Sequence, residues 1–160
     1  MYKIIIMNID ELKNKVQYIV KNARALKDKY TDQKNAPVNY ACIFSQTNEE
    51  YKELLELVRT IGKVVKETKT GLLFHIDPLL TESGILKLLK IRISDPTRPE
   101  LGDADFSVSN FAKFEKKYLP RPGFKLINKE NFVMVELTDQ EFDVRAYFSN
   151  PPLDVQLNIK

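Results

Sequence analysis

A chain of 160 residues that is 43% hydrophobic and 29% charged, with 5 glycines and 8 prolines, can bury one substantial core and is neither disordered nor fibrous in composition. Its formal charge of +3 comes from 25 basic and 22 acidic residues interspersed along the chain, a balance that argues against nucleic acid and against an anionic membrane as partner. No apolar run approaches the roughly 18 to 20 residues that span a bilayer; YKIIIM is too short for a signal sequence, and the single cysteine, Cys42, excludes an internal disulfide framework, so a cytoplasmic protein is expected.

The opening YKIIIMNI is β-branched and reads as a short strand, after which Asp10 is placed to cap a helix running to about Tyr30. Leu12, Val16, Ile19, Val20, Ala23 and Leu26 form one apolar stripe at helical spacing, while Lys13, Lys15, Lys21, Lys27 and Lys29 read as a solvated face. TDQKNA follows as a linker. Residues 1–36 are thus a strand-helix extension, and 37–160 the main domain.

Within that domain VNYACIFS reads as a strand and TNEEYKELLELVRTIG as a helix, with Thr47 and Glu50 at capping-box spacing and Gly62 at the stop. Tyr51, Leu54, Leu55, Val58 and Ile61 are its inward positions. KVVKETK, GLLFHID and ILKLLKIRIS are then three strands separated by turn residues. After residues 95–102 the order returns: ADFSV is a strand, NFAKFEKKYL a helix with Ser109 as its cap, and FKLINK, NFVMVEL and FDVRAYFS are three more strands. The glycines closing the two helices, Gly62 and Gly123, lie 123 − 62 = 61 residues apart, which marks a weak internal repeat. Two βαβββ modules, about 37–94 and 103–150, are therefore joined by a proline-bearing crossover at 95–102, DPTRPELG. The fold class is α+β, with a curled mixed sheet; the strand-to-strand turns are too short for the crossover helices of an all-parallel sheet.

Two consecutive βαβββ units resemble the vicinal oxygen chelate superfamily, the glyoxalase and dioxygenase relatives. FSQTNEEYKELLELVRTIGKVVKE, then LLKIRISDP, then PELGDADFSV look like its YecM-type branch, and the resemblance covers residues 38–149. It implies sheets curled around a concave pocket where, in the enzymes, His or Glu from the first and last strands of each half bind a divalent metal. Carried over by position, those strands offer Tyr40, Asp105, Lys90 or Arg92, and Asp143 or Arg145. Cations at ligand positions repel a divalent ion, so a degenerate metal site is expected.

Strand alternation supplies an independent expectation. Lys90, Arg92 and Ser94 share one face, as do Asp143, Arg145 and Tyr147, and Asp105, Ser107 and Ser109; Leu89, Ile91 and Ile93 share the opposite face of their strand, and Ala104, Phe106, Val108, Val144, Ala146 and Phe148 point into the core. In the topology that the resemblance implies, the polar faces line the concavity, with Arg92 and Arg145 opposite Asp105 and Asp143. Three readings follow: the charges neutralise each other where a metal once sat, the arginines bind a carboxylate or phosphate of a ligand, or the faces are simply solvated.

Other residues carry weaker signals. His75 is the sole histidine and reads as a strand-edge residue; Asp103 and Asp105 in GDAD resemble a cation-binding pair; Cys42 reads as a small buried hydrophobe. Neither a glycine-rich phosphate loop nor a Walker-type signature occurs. The leading expectation is a protein that binds a small anionic molecule without a cofactor, through Arg92, Asp105, Arg145 and Tyr147. The alternatives are an enzyme holding a divalent metal with Asp105, Glu136, Asp143 or His75, and a partner-binding module that uses the first helix.

Overall fold

The structure, a computed structural model, describes residues 7–159. The strand expected over YKIIIMNI falls almost entirely outside them. Helix α1 spans Ile9–Tyr30 and buries the whole expected stripe from Leu12 to Leu26. Its cap is Asn8 rather than Asp10: the Asn8 side chain accepts from the Glu11 N–H at 2.9 Å, which leaves Asp10 and Glu11 in the first turn, where the helix dipole favours carboxylates. Lys27 also departs from the expected solvated face. It is 0% exposed, because its long side chain lies 5.2 Å from the Phe106 ring centroid while its Nζ donates to Asp28 and to the Gln33 carbonyl.

The two βαβββ units form as expected. The first comprises β1 (Val38–Phe44), α2 (Asn48–Arg59), β2 (Gly62–Thr68), β3 (Gly71–Thr81) and β4 (Gly84–Arg92). The second comprises β5 (Gly102–Phe106), α3 (Phe111–Tyr118), β6 (Phe124–Asn128), β7 (Val133–Leu137) and β8 (Val144–Asn150); a short α4 (Leu153–Gln156) follows and is tied to β1 by hydrogen bonds between Asn39 and Asp154. Thr47 caps α2 as its spacing predicts, although Glu50 reaches back to the Gln46 N–H, one residue before the cap. Asn110, not Ser109, caps α3, since its Oδ1 accepts from the Lys113 N–H at 3.1 Å. Strand β3 runs further than expected, through Pro78; the register shifts between His75 and Leu79, an irregularity that accommodates a residue without an N–H.

All eight strands make one open sheet, in the order β2-β3-β4-β1-β5-β8-β7-β6. In each unit the first and last strands pair in parallel, β1 with β4 and β5 with β8, and the two units meet where β1 pairs antiparallel with β5. This puts the first strands of both units side by side at the centre. Helix α1 lies across β8, β5, β1 and β3 and also touches α2. Its stripe shares one hydrophobic core with Leu54 and Val58 of α2, Phe114 and Tyr118 of α3, and Ala41, Ile43, Leu89, Ile91, Ala104, Phe106, Val144, Ala146 and Phe148 of the sheet. Gly102 lets α1 come this close to the central seam: a Cβ there would lie 2.8 Å from Ile19 Cδ1 and 2.1 Å from the Cys42 carbonyl oxygen. With the apolar side of α1 buried in this core, only Tyr18, 43% exposed, remains as a large apolar group on its surface.

Candidate functional site

The face of the sheet opposite the helices carries a polar grid whose order follows from the strand register. Along one row Lys90 of β4 stands beside Cys42 of β1, Cys42 beside Asp103 of β5, and Asp103 beside Arg145 of β8. In the next row Tyr40, Asp105, Tyr147 and Glu136 are paired in the same way across β1, β5, β8 and β7. Arg92 lies opposite Phe44 at the end of β4. The alternation that buries Ala41, Ala104 and Ala146 under α1 is thus the same alternation that lines up these polar side chains.

Part of the grid walls a cavity of about 220 Å³, bounded by Tyr40, Cys42, Lys90, Arg92, Asp103 and Tyr147 on the sheet, with Arg98 from the crossover. Thr70 of the β2–β3 turn lies at one side, and Ile127, Lys129, Phe132 and Met134 of the β6–β7 hairpin close the other. The sheet curls enough for strands of both units to reach the same space.

Arg98 was not anticipated. The crossover 95–102 reads as a spacer, but Asp95 folds it into a tight turn: its Oδ1 accepts from the Thr97 N–H and hydroxyl, and its carbonyl accepts from the Arg98 N–H at 2.9 Å. This turn directs Arg98 inward, where its guanidinium lies 5.6 Å from the Phe44 ring centroid and donates to the Tyr147 hydroxyl at 3.3 Å. Arg92 lies against the same ring at 5.9 Å. Asp95 is within 3.6 Å of Arg92 and 4.0 Å of Arg98, two long ion pairs shared by one half-exposed carboxylate. Lys90 is half-buried and its Nζ donates to Thr70 Oγ1 at 2.6 Å; desolvation lowers its pKa from the usual lysine value.

Two buried carboxyls lie on the same polar face. Asp105, 0% exposed, accepts from the Ser149 hydroxyl and has its Oδ1 without a partner. Asp103, 6% exposed, lines the cavity, and its Oδ1 likewise has no hydrogen-bond partner. Burial raises the pKa of Asp103 to about 7 in spite of the opposing charges of Lys90, Arg98, Arg92 and Arg145. For Asp105 burial is again the largest cause, partly offset by the Ser149 hydrogen bond, and the result is about 8. Burial likewise pushes the Cys42 thiol well above its ordinary range.

The expected opposition of Arg92 and Arg145 to Asp105 and Asp143 is not what forms. Arg145 is engaged by Glu100 and Glu136, each at 3.1 Å, and Glu136 also accepts from the Tyr147 hydroxyl at 2.6 Å. The long guanidinium reaches past its strand neighbour Asp103 to carboxylates that are less deeply buried. Asp143 precedes β8, so strand alternation does not govern it, and its carboxylate accepts from Tyr18 of α1 at 2.8 Å. Of the four residues proposed from sequence, Arg92 and Tyr147 line the cavity, whereas Asp105 and Arg145 sit beside it with partners of their own.

The metal candidates do not converge. Glu136 and Asp143 border a neighbouring recess of about 510 Å³ with Arg145 beside them, Asp105 is under the sheet's polar face, and His75 is exposed on β3, opposite Lys63 and Leu88. Among the described residues no three His, Cys, Asp or Glu side chains are grouped to hold a metal ion. The row Lys90, Cys42, Asp103 and Arg145 has two cations and a thiol whose pKa burial raises, a donor set that does not fit a divalent metal. Among the described residues, no helix is long and apolar enough to cross a membrane.

Fold and site together define a class: an open α+β sheet of two βαβββ units, with a cation-rich cavity on the face away from its helices. No family model matches the sequence, and no curated protein does. A solved structure described as "Structural Genomics, Protein EC4020" is similar over 98% of both chains, with a TM-score of 0.70 at 12% identity, so this fold has been seen before with α1 included. Glyoxalase I from Zea mays is similar over 71% of this chain and 42% of its own, with a TM-score of 0.42 at 16% identity, and a mutant of the same enzyme gives 0.40 at 15%.

Proposed function

We propose that this protein is a metal-independent relative of the vicinal oxygen chelate proteins, of the YecM-type branch, that binds a small anionic molecule in its concave cavity. One observation carries the reading. Lys90, Arg92 and Arg98 converge on a cavity in which the only lining carboxyl among the described residues, Asp103, has its pKa raised to about 7 by burial. A cavity walled by cations with a titratable carboxyl beneath favours an incoming carboxylate or phosphate, and guanidinium forks held against an aromatic ring present paired donors to such groups at little cost in ordering. About 220 Å³ admits a small metabolite rather than a nucleotide or a peptide. The ion pairs of Arg145 with Glu100 and Glu136 support the same reading, because an arginine standing between carboxylates removes them as metal ligands.

Titration calorimetry at low salt with small carboxylates and phosphates tests this. Saturable binding is expected, weakened at least about tenfold in Arg98→Gln, since a charge-assisted hydrogen bond is worth roughly 1.5 to 3 kcal/mol. Binding that ignores Arg98 and Lys90, or appears only when a divalent metal is added, would overturn the reading.

A further inference from the structure

The cavity contains a group that an anion alone does not satisfy. Asp103 is 6% exposed and lines the cavity, its Oδ1 has no hydrogen-bond partner, and its neighbours Lys90 and Arg92 are turned to Thr70 and Asp95 instead. Arg145, its partner in strand register, is taken by Glu100 and Glu136. Buried polar groups are nearly always hydrogen-bonded, so one that is not calls for an explanation. The Arg92 Nε is also buried without a partner among the described residues.

We infer that the anion recognised here carries a hydroxyl group, which donates to the Asp103 carboxyl while its oxyanion lies among Lys90, Arg92 and Arg98. This inference rests on the anion-binding reading above and narrows it to a small hydroxy acid or hydroxyalkyl phosphate. An ammonium group could also donate to Asp103, but it would lie among the four cations Lys90, Arg92, Arg98 and Lys129, with Asp95 and Asp103 to offset them. A hydroxyl is neutral and meets no such repulsion. A ligand with no donor would seal Asp103 under it with the carboxyl still unpaired. That penalty makes the hydroxyl a selected feature rather than a tolerated one, because sites built to hydrogen-bond a ligand hydroxyl reject analogues that lack it.

The test compares ligands that differ by one hydroxyl: malate against succinate, lactate against propionate, and glycerol phosphate against propyl phosphate, by calorimetry on the wild type and on Asp103→Leu. Leucine shares aspartate's branched outline of four side-chain heavy atoms and removes both an unpaired buried carboxyl and its acceptor, so the variant is expected to fold. In the wild type the hydroxylated member of at least one pair binds at least about tenfold more tightly. The carboxylate and phosphate pairs show which oxyanion is preferred. In Asp103→Leu the preference disappears while both members still bind. If both members of every pair bind the wild type equally, or if the preference survives in Asp103→Leu, Asp103 does not read a hydroxyl, and the anion reading stands without it. If no member of any pair binds, the anion reading itself fails. Should Asp103→Leu not fold, Asp103→Ala, which also removes the acceptor, takes its place in the same comparison.

Discussion

At the scale of single residues, Asp103 in the cavity wall and Asp105 beside it are the two deeply buried aspartates of the polar face. Both have folded pKa values, about 7 and about 8, above the unfolded aspartate range. The folded state therefore keeps protons that the unfolded state releases: this contribution is fully present below about pH 4 and is lost as pH rises through about 7 to 8. Thermal unfolding across that window should show Asp105→Asn more stable than the wild type at pH 8, with the gap narrowing towards pH 4; a gap that widens in acid would reverse the assignment. Cys42, buried with its thiol pKa pushed well up, should react with a thiol reagent in the native state far more slowly than in denaturant. Prompt native labelling would contradict that placement. Much of this was legible from alternation: Lys90, Arg92 and Tyr147 were assigned to the polar face, and Ala104, Phe106, Val144, Ala146 and Phe148 to the core, because a strand's period of two needs no tertiary knowledge. Asp143 was misplaced since it lies one residue outside β8, where the period ends. Arg98 was missed for a related reason. DPTRP reads as an extended crossover, whereas Asp95 folds it into a turn, and which way Arg98 then points depends on Phe44 and Tyr147, which are distant in sequence.

At the scale of elements, α1 is the piece whose role changes most between sequence and structure. Its stripe was legible, and its packing surface was not, because periodicity shows that a helix has a buried side without showing what covers it. It lies over the seam where β1 and β5 join the two units, with Ile19 above Gly102. Ile19→Ala should therefore cost about 2 to 5 kcal/mol of stability, measured by denaturant unfolding, as a cavity in a fully packed core does. A loss within the range of an exposed substitution, about 0.5 kcal/mol, would show that α1 is not part of the core. Gly102→Ala should also destabilise, since the added methyl would meet backbone at the Cys42 carbonyl as well as the Ile19 side chain. The βαβββ repeat itself was readable because each helix announces its ends with a cap and a glycine, and each strand-to-strand link is too short to be anything but a turn.

At the scale of the whole molecule, two units joined by their first strands produce one curved sheet with a helical side and a polar side, and the polar side gathers Lys90, Arg92 and Arg98 around Asp103. Its cations make that side unsuited to a divalent metal. The central claim is that a small anion occupies this cavity, and thermal unfolding with added anion tests it most directly. A ligand that binds only the folded state stabilises it by about 2.7 kcal/mol at a hundred times its dissociation constant, which for a chain of this length raises Tm by roughly 5 to 10 °C. Such a rise with a small carboxylate or phosphate, absent in Arg98→Gln and unaffected by EDTA, is the result predicted; a rise of the same size in both proteins, or one that EDTA abolishes, would contradict the account.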